Sequence, residues 1–241
     1  MTQPATVQNQ QSPLTIDIVS DVVCPWCYIG KRKLEAALAL PEAAGLPDVQ
    51  IRWHPFQLNP DLPETGMPRK QYLEDKFGGP ERAAQIYARV GAAGKSVGLD
   101  LNFDGIQRQA NTLLAHALIA YAQASPLNNA QGDTDNRLGN DVKERLLKAY
   151  FVEGRFIGSI DVLVEIAVAA GLDGAEVRQY LSDPVHRESV SQADALARQM
   201  GISGVPFFIF NQKVAVSGAQ DPQTLLQAMQ QAVAVAAVTT V

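Results

Sequence analysis

Ser20-Asp21-Val22-Val23-Cys24-Pro25-Trp26-Cys27-Tyr28-Ile29-Gly30-Lys31 holds both cysteines of the chain, two residues apart. Before it runs Leu14-Thr15-Ile16-Asp17-Ile18-Val19, an apolar, β-branched stretch that reads as a strand covered on both faces. After it the chain has helical spacing to about Leu40, with Pro25 at a favoured first-turn position and Pro41 as the stop. A dithiol at a strand-to-helix junction points to redox chemistry. Pro47 and Asp48 mark a turn, and Val49 to Phe56 alternates as a second strand, completing a unit the size of a right-handed βαβ.

The chain has 241 residues, 46% of them hydrophobic, enough for one large domain or a compact domain carrying a second. Twenty basic against 25 acidic side chains give a net charge of -5, which argues against a nucleic acid or an anionic membrane as the main partner. Met1 to Gln11 is polar, without the charged and apolar regions of a secretory signal, and reads as a loose tail. The apolar run Ala232 to Val238 is far below the ~20 residues needed to cross a bilayer. The expected address is therefore the cytoplasm, where two cysteines closing so small a loop are poor candidates for a structural staple.

After Asn59-Pro60-Asp61-Leu62-Pro63 the spacing turns helical, with expected helices at Arg69–Phe77, Pro80–Val97, Thr112–Ala124, Asn136–Val152, Ser159–Ala170 and Gly174–Leu181. Ser125 to Asn136, rich in Asn, Asp, Gln and Gly, reads as a mobile loop. A helix over Pro184–Met200 follows, then a strand over Val205–Phe210, a turn at Asn211-Gln212, a hairpin partner over Lys213–Val216 and a closing helix capped by Asp221. The order is β-α-β, helical block, α-β-β-α. It divides the chain into a tail (1–12), a first half (13–60), an all-helical insertion (61–183) and a second half (184–241).

With this order, the sequence resembles the thioredoxin fold interrupted by a helical domain, an α/β architecture, and within it the DsbA-like group, most closely the FrnE-type oxidoreductases. The resemblance rests on Asp21 to Lys31, on Phe56-Gln57-Leu58-Asn59-Pro60, and on Asn111 to His116 and Ala149 to Gly154 in the helical block. Gly201 to Pro206 and Ser217 to Gln220 complete it, so that it spans residues 13 to 232. It implies a thiol-disulfide oxidoreductase acting on protein, peptide or small-molecule disulfides, with the helical block as a lid over the cleft. No tightly bound cofactor is implied; glutathione is a candidate redox partner, and the oligomeric state is open. The alternative is a glutathione-dependent enzyme like 2-hydroxychromene-2-carboxylate isomerase or the kappa-class glutathione transferases, which share the split fold and need no resolving thiol.

A thiolate is the nucleophile in disulfide exchange, so Cys24 is expected to face solvent with its pKa lowered by the helix N-terminus. Cys27, one turn on, is placed to resolve a mixed disulfide. Zinc is not expected, because a tetrahedral site needs two more ligands and only His54, His116 and His186 remain, none closely paired. Pro25 and Trp26 set the active-site dipeptide, and Trp26 either contacts substrate or is a partly exposed ring at the rim. On position alone Pro206 reads as an ordinary trans proline at a strand start; the resemblance instead puts it at the superfamily's cis-proline position, with the Val205 backbone free to pair with an extended substrate. It also puts Asn111 and His116 over the thiol-binding cleft, although a histidine on an apolar helix is more often a core residue. Asp21 reads as a helix cap or a solvated loop residue, with a general-base role for it or Asp17 as the alternative. Lys31 reads as a wet helix face, and His54 and His186 are given packing or capping alone.

Overall fold

A computed structural model describes residues 12–128 and 136–238. The first strand, β1 (Leu14–Ser20), is followed by helix α1 (Pro25–Leu38) and strand β2 (Val49–Pro55). Next come β3 (Met67–Pro68), α2 (Arg69–Phe77), α3 (Pro80–Lys95), β4 (Arg108–Gln109), α4 (Leu113–Ala124), α5 (Arg137–Phe151), α6 (Ile160–Ala169) and α7 (Gly174–Ser182). The chain ends with α8 (Pro184–Gln199), β5 (Phe207–Phe210), β6 (Val214–Ser217) and α9 (Pro222–Val238).

The main sheet has the order β2-β1-β5-β6. β1 is central, parallel to β2 with Leu14 opposite Val49, and antiparallel to β5 with Ile16 opposite Phe210. Its covered position explains its composition: Leu14, Ile16, Ile18 and Val19 are all buried, whichever face they point to. β2 is an edge strand, and Trp53 is its only buried residue. This order, with α1 crossing between the two parallel strands, is that of a thioredoxin fold, and the helices between β2 and β5 are its insertion.

The core is continuous from the sheet into the insertion. Ile16, Phe208 and Leu225 belong to the same buried cluster as Leu118, Leu147 and Phe151. The helices of the insertion therefore do not stand apart on a stalk: α4 and α5 both touch β2, and α8 packs against β2 and α4.

Several sequence expectations need correction. The insertion is not all helical, because β3 and β4 form a small antiparallel pair, Met67 opposite Gln109. Two residues per strand, one of them Pro68, carry no alternation for a sequence pattern to detect. The pair is fixed instead by side chains: the Tyr150 hydroxyl donates to Gln109 Oε1 at 2.8 Å, and the Arg69 guanidinium bonds the same oxygen. α1 stops at Leu38 rather than Leu40, with a 3-10 turn at Pro41–Ala43 beyond it. α3 ends at Lys95 rather than Val97, where a Cβ on Gly94 would lie 2.9 Å from Leu101. The second-half strands start later than read, at Phe207 and Val214. Of the expected loop Ser125–Asn136, Pro126–Asn128 is a 3-10 turn and residues 129–135 lie outside the described residues, as do 1–11 of the tail.

Candidate active site

Cys24 is the N-cap of α1, in extended conformation (φ -96°, ψ 112°), with no side chain capping the helix. Pro25 follows as the first helical residue, so the unpaired donors of the first turn start at Trp26. Cys24 and Cys27 are free thiols, not joined in a disulfide. A thiolate at Cys24 is stabilised first by the Cys27 thiol, which donates to it, and also by the backbone N–H groups of Cys27 and Trp26. These donors outweigh burial and the nearby Asp21 charge, and the Cys24 pKa falls below that of an ordinary thiol. Cys27 shows the opposite behaviour. Burial pushes its pKa well up, and the hydrogen bond it donates to Cys24 holds its proton in place.

The sulfur's accessibility differs from expectation. Cys24 is only 4% exposed and Cys27 1%, whereas Trp26 stands at the rim with 41% of its surface in solvent. Part of the cover over Cys24 comes from the loop before β5. The Val205–Pro206 peptide bond is cis, as the family resemblance implies, and Cys24 Sγ lies 3.6 Å from the Val205 carbonyl oxygen. The same loop is pressed against α1, where a Cβ on Gly30 would fall 2.9 Å from Pro206 Cγ. A larger residue at position 30 would have to displace the proline ring.

Of the remaining sequence candidates, Asp21, Asn111 and His116 are buried rather than at the surface. Asp21 is neither cap nor solvated residue. It is fully buried, accepts from the Leu58 N–H at 2.8 Å, and pairs with His116 Nε2 at 3.3 Å. Burial alone would raise its pKa, but the His116 bond and charge and the Leu58 N–H together hold it below the usual carboxylate value. His116 is thus a buried histidine with a specific partner, on α4. Asn111 is also buried, accepting from Gln57 at 3.2 Å and donating to the Leu62 carbonyl at 2.6 Å. Asp17 bonds His54 Nε2 at 2.8 Å, and His186 stacks on Tyr180. Lys31 is not a wet face: it is buried, paired with Glu35 and, at 2.7 Å, with Glu144 of α5. Glu144 also accepts from the Tyr28 hydroxyl at 2.7 Å and pairs with Arg32, so α1 is fastened to α5. Among the described residues no group of histidine, cysteine and carboxylate side chains could hold a metal ion.

Sequence reasoning missed Lys143. It lies on α5 with no exposed surface, donates to Ser20 Oγ at 2.6 Å, and sits over the Trp53 ring at 5.1 Å. Burial lowers its pKa to about 8, against the opposing pull of the Cys27, Asp21 and Cys24 charges. The sign was present in the sequence: Lys143 interrupts the apolar stripe of Val142, Leu146, Leu147 and Tyr150.

A match to the sequence profile of the DSBA-like thioredoxin domain covers residues 15–230. The chain belongs to this family. A solved member, a probable DsbA oxidoreductase from Streptomyces coelicolor, is 31% identical over 91% of this chain and 89% of its own, with a TM-score of 0.74. The uncharacterized protein YwbO of Bacillus subtilis is 28% identical over 204 residues, 83% of this chain and 88% of its own. At 22% identity, where likeness speaks to fold alone, the cytosolic disulfide reductase DsbM from Pseudomonas aeruginosa, solved with GSH, aligns over 94% of this chain and 98% of its own (TM-score 0.56). No helix among the described residues of this DSBA-like chain is long and apolar enough to cross a membrane.

Proposed function

We propose that the protein is a thiol-disulfide oxidoreductase in which Cys24 attacks and Cys27 resolves. The observation that carries this is the opposite polarity of the two sulfurs, with Cys24 lowered and Cys27 raised, at a helix N-terminus facing Val205. The Cys24 thiolate attacks one sulfur of a substrate disulfide, a mixed disulfide forms, and the other substrate sulfur leaves with the electron pair. Cys27, deprotonated, then attacks Cys24 Sγ. The internal disulfide forms, the second substrate sulfur leaves as a thiolate, and two electrons have passed from the dithiol to the substrate.

In this reading Trp26 forms the rim that a protein or peptide disulfide crosses, and the backbone at Val205 receives the extended chain on either side of it. Pro25 and Pro206 shape the two walls. Glutathione is a candidate small-thiol partner, a choice supported by the GSH in the DsbM structure, and a cytoplasmic address is supported by that protein's description. The reading divides the chain at residues 61 and 183 into a split thioredoxin unit and its insertion, with Asn111 and His116 supporting the cleft from behind. Cys27 counts against the glutathione-dependent isomerase alternative, which needs no second thiol.

The test is reduction of insulin by dithiothreitol with catalytic amounts of protein. Wild type accelerates it and Cys24→Ser does not; a Cys24→Ser protein as active as wild type overturns the assignment.

A further inference from the structure

A cavity of about 110 Å³ lies between β2 and the helices that cover it, apart from the dithiol cleft: none of Cys24, Cys27, Trp26, Val205 or Pro206 lines it. Its inner end is formed by Trp53 of β2, His116 of α4 and Lys143 of α5, all buried, and its outer end by the exposed His54 and Ser189. His186 of α8 also borders it, so all three histidines of the chain meet there, while no carboxylate among the described residues lines it. Asp17 and Asp21 hold His54 and His116 by Nε2 without lining the cavity themselves.

Lys143 decides the chemistry. It has no exposed surface, and an ammonium carries three donors. The described residues offer it one acceptor, the Ser20 hydroxyl at 2.6 Å, together with the face of the Trp53 ring at 5.1 Å, and no carboxylate within ion-pair distance. Burial brings its pKa to about 8, so the amine is still mostly protonated at pH 7. A charge taken out of water is costly until an opposite charge accompanies it. What complements this amine is one negative charge, with lone pairs for its two remaining N–H groups.

The walls select further. Ile119 and Ala120 of α4 and Val190 and Ala193 of α8 are apolar, and Tyr180 of α7 adds a hydroxyl with no partner among the described residues. Such walls suit an alkyl group, whereas a phosphate dianion brings a second charge and more oxygens than there are donors. The volume is below the ~150 Å³ that holds benzene, which limits a ligand to roughly six heavy atoms.

We propose that this cavity binds a small aliphatic monocarboxylate, of acetate to butyrate size, with its carboxylate on the Lys143 ammonium and its alkyl group between α4 and α8. No sulfur lines the site, so the ligand takes no part in disulfide exchange, and the inference stands whether or not the thiols turn over. The ligand is an effector of the fold: the cavity is lined from β2, α4, α5, α7 and α8, and a molecule that binds only this assembled arrangement stabilises it.

The test is calorimetric titration of the reduced full chain at pH 7, in a buffer free of carboxylates and phosphate, with butyrate, its neutral isostere butyramide, and phosphate. Butyrate binds one to one and raises the melting temperature. Butyramide, which lacks the charge, and Lys143→Met, which lacks the ammonium, each weaken binding by at least about tenfold, as for loss of a charged hydrogen bond. Ala193→Leu fills the cavity from α8 while keeping the amine, abolishes butyrate binding, and decides the matter should the Met variant not fold. Alkylation of Cys24 with iodoacetamide leaves butyrate affinity unchanged. Absence of saturable butyrate binding, equal binding of butyrate and butyramide, or wild-type affinity in a folded Lys143→Met or Ala193→Leu overturns the proposal. So does phosphate bound as tightly as butyrate, which means an adventitious ion only, and so does loss of butyrate binding on alkylation, which moves the ligand to the dithiol cleft.

Discussion

Lys143→Met tests what the buried amine costs the fold. The pKa falls from 10.5 to about 8 on folding. At about 1.4 kcal/mol per unit, holding the ammonium in the interior costs the folded state roughly 3 kcal/mol wherever both folded and unfolded chains are protonated. That condition holds below pH 8. Between there and the unfolded value the unfolded chain binds the extra proton, so wild-type stability gains from this site as pH rises, and the penalty is gone above it. Methionine is similar in length, apolar and without a titration, so it escapes the penalty. It also forfeits the Ser20 hydrogen bond and the Trp53 contact, worth about 1–3 kcal/mol together. The stability of the variant relative to wild type is therefore expected to be greater at pH 7 than at pH 10.5, by roughly 3 kcal/mol. Guanidinium unfolding of both proteins, reduced throughout, reads this difference, and titrations common to the two largely cancel. A gap independent of pH, or one that moves toward the variant as pH rises, refutes the reasoning.

Two further predictions concern the front of the site. Cys27→Ala removes the largest contribution lowering the Cys24 pKa and leaves the two backbone N–H groups. Because a hydrogen bond to a charged group is worth about 1.5–3 kcal/mol, iodoacetamide alkylation of Cys24 at pH 7 is expected to slow severalfold, and an unchanged pH profile contradicts the proposed donor. Gly30→Ala places a Cβ 2.9 Å from Pro206 Cγ and 3.3 Å from Phe208 Cζ. Overpacking of about 1–3 kcal/mol exceeds the gain of about 0.5–1 kcal/mol from alanine in a helix, so calorimetry should show a melting temperature lower by a few degrees; a more stable variant would show that the loop yields freely.

What could be read in the sequence was what local pattern encodes. The dithiol at a strand end, the prolines at the starts of α1, α3 and α8, and the β-branched run of β1 each carry their signal within a few residues. Asp21 and Lys31 were misread for the same reason that they matter: short-range rules assign a polar side chain near a helix start to solvent or a cap. Their burial is imposed by residue 58, just after β2, and by residues 116 and 144 of the insertion. Lys143 was legible only as an irregularity in an apolar stripe, because nothing within α5 says what lies opposite. The low exposure of Cys24 likewise depends on a loop close to the far end of the chain.

That loop has a consequence for how the protein is made. The Val205 carbonyl that covers Cys24 is separated from it by 181 residues. At about 5–20 residues per second, a ribosome extrudes the reactive sulfur roughly 10–35 s before its cover. β1 spends that interval with β2 available on one side and its β5 partner still unsynthesised on the other. Every newly made copy thus passes through a period in which a thiol destined to be sheltered is open to whatever electrophile or disulfide it meets, and the reducing capacity around the ribosome, rather than the fold, must protect it.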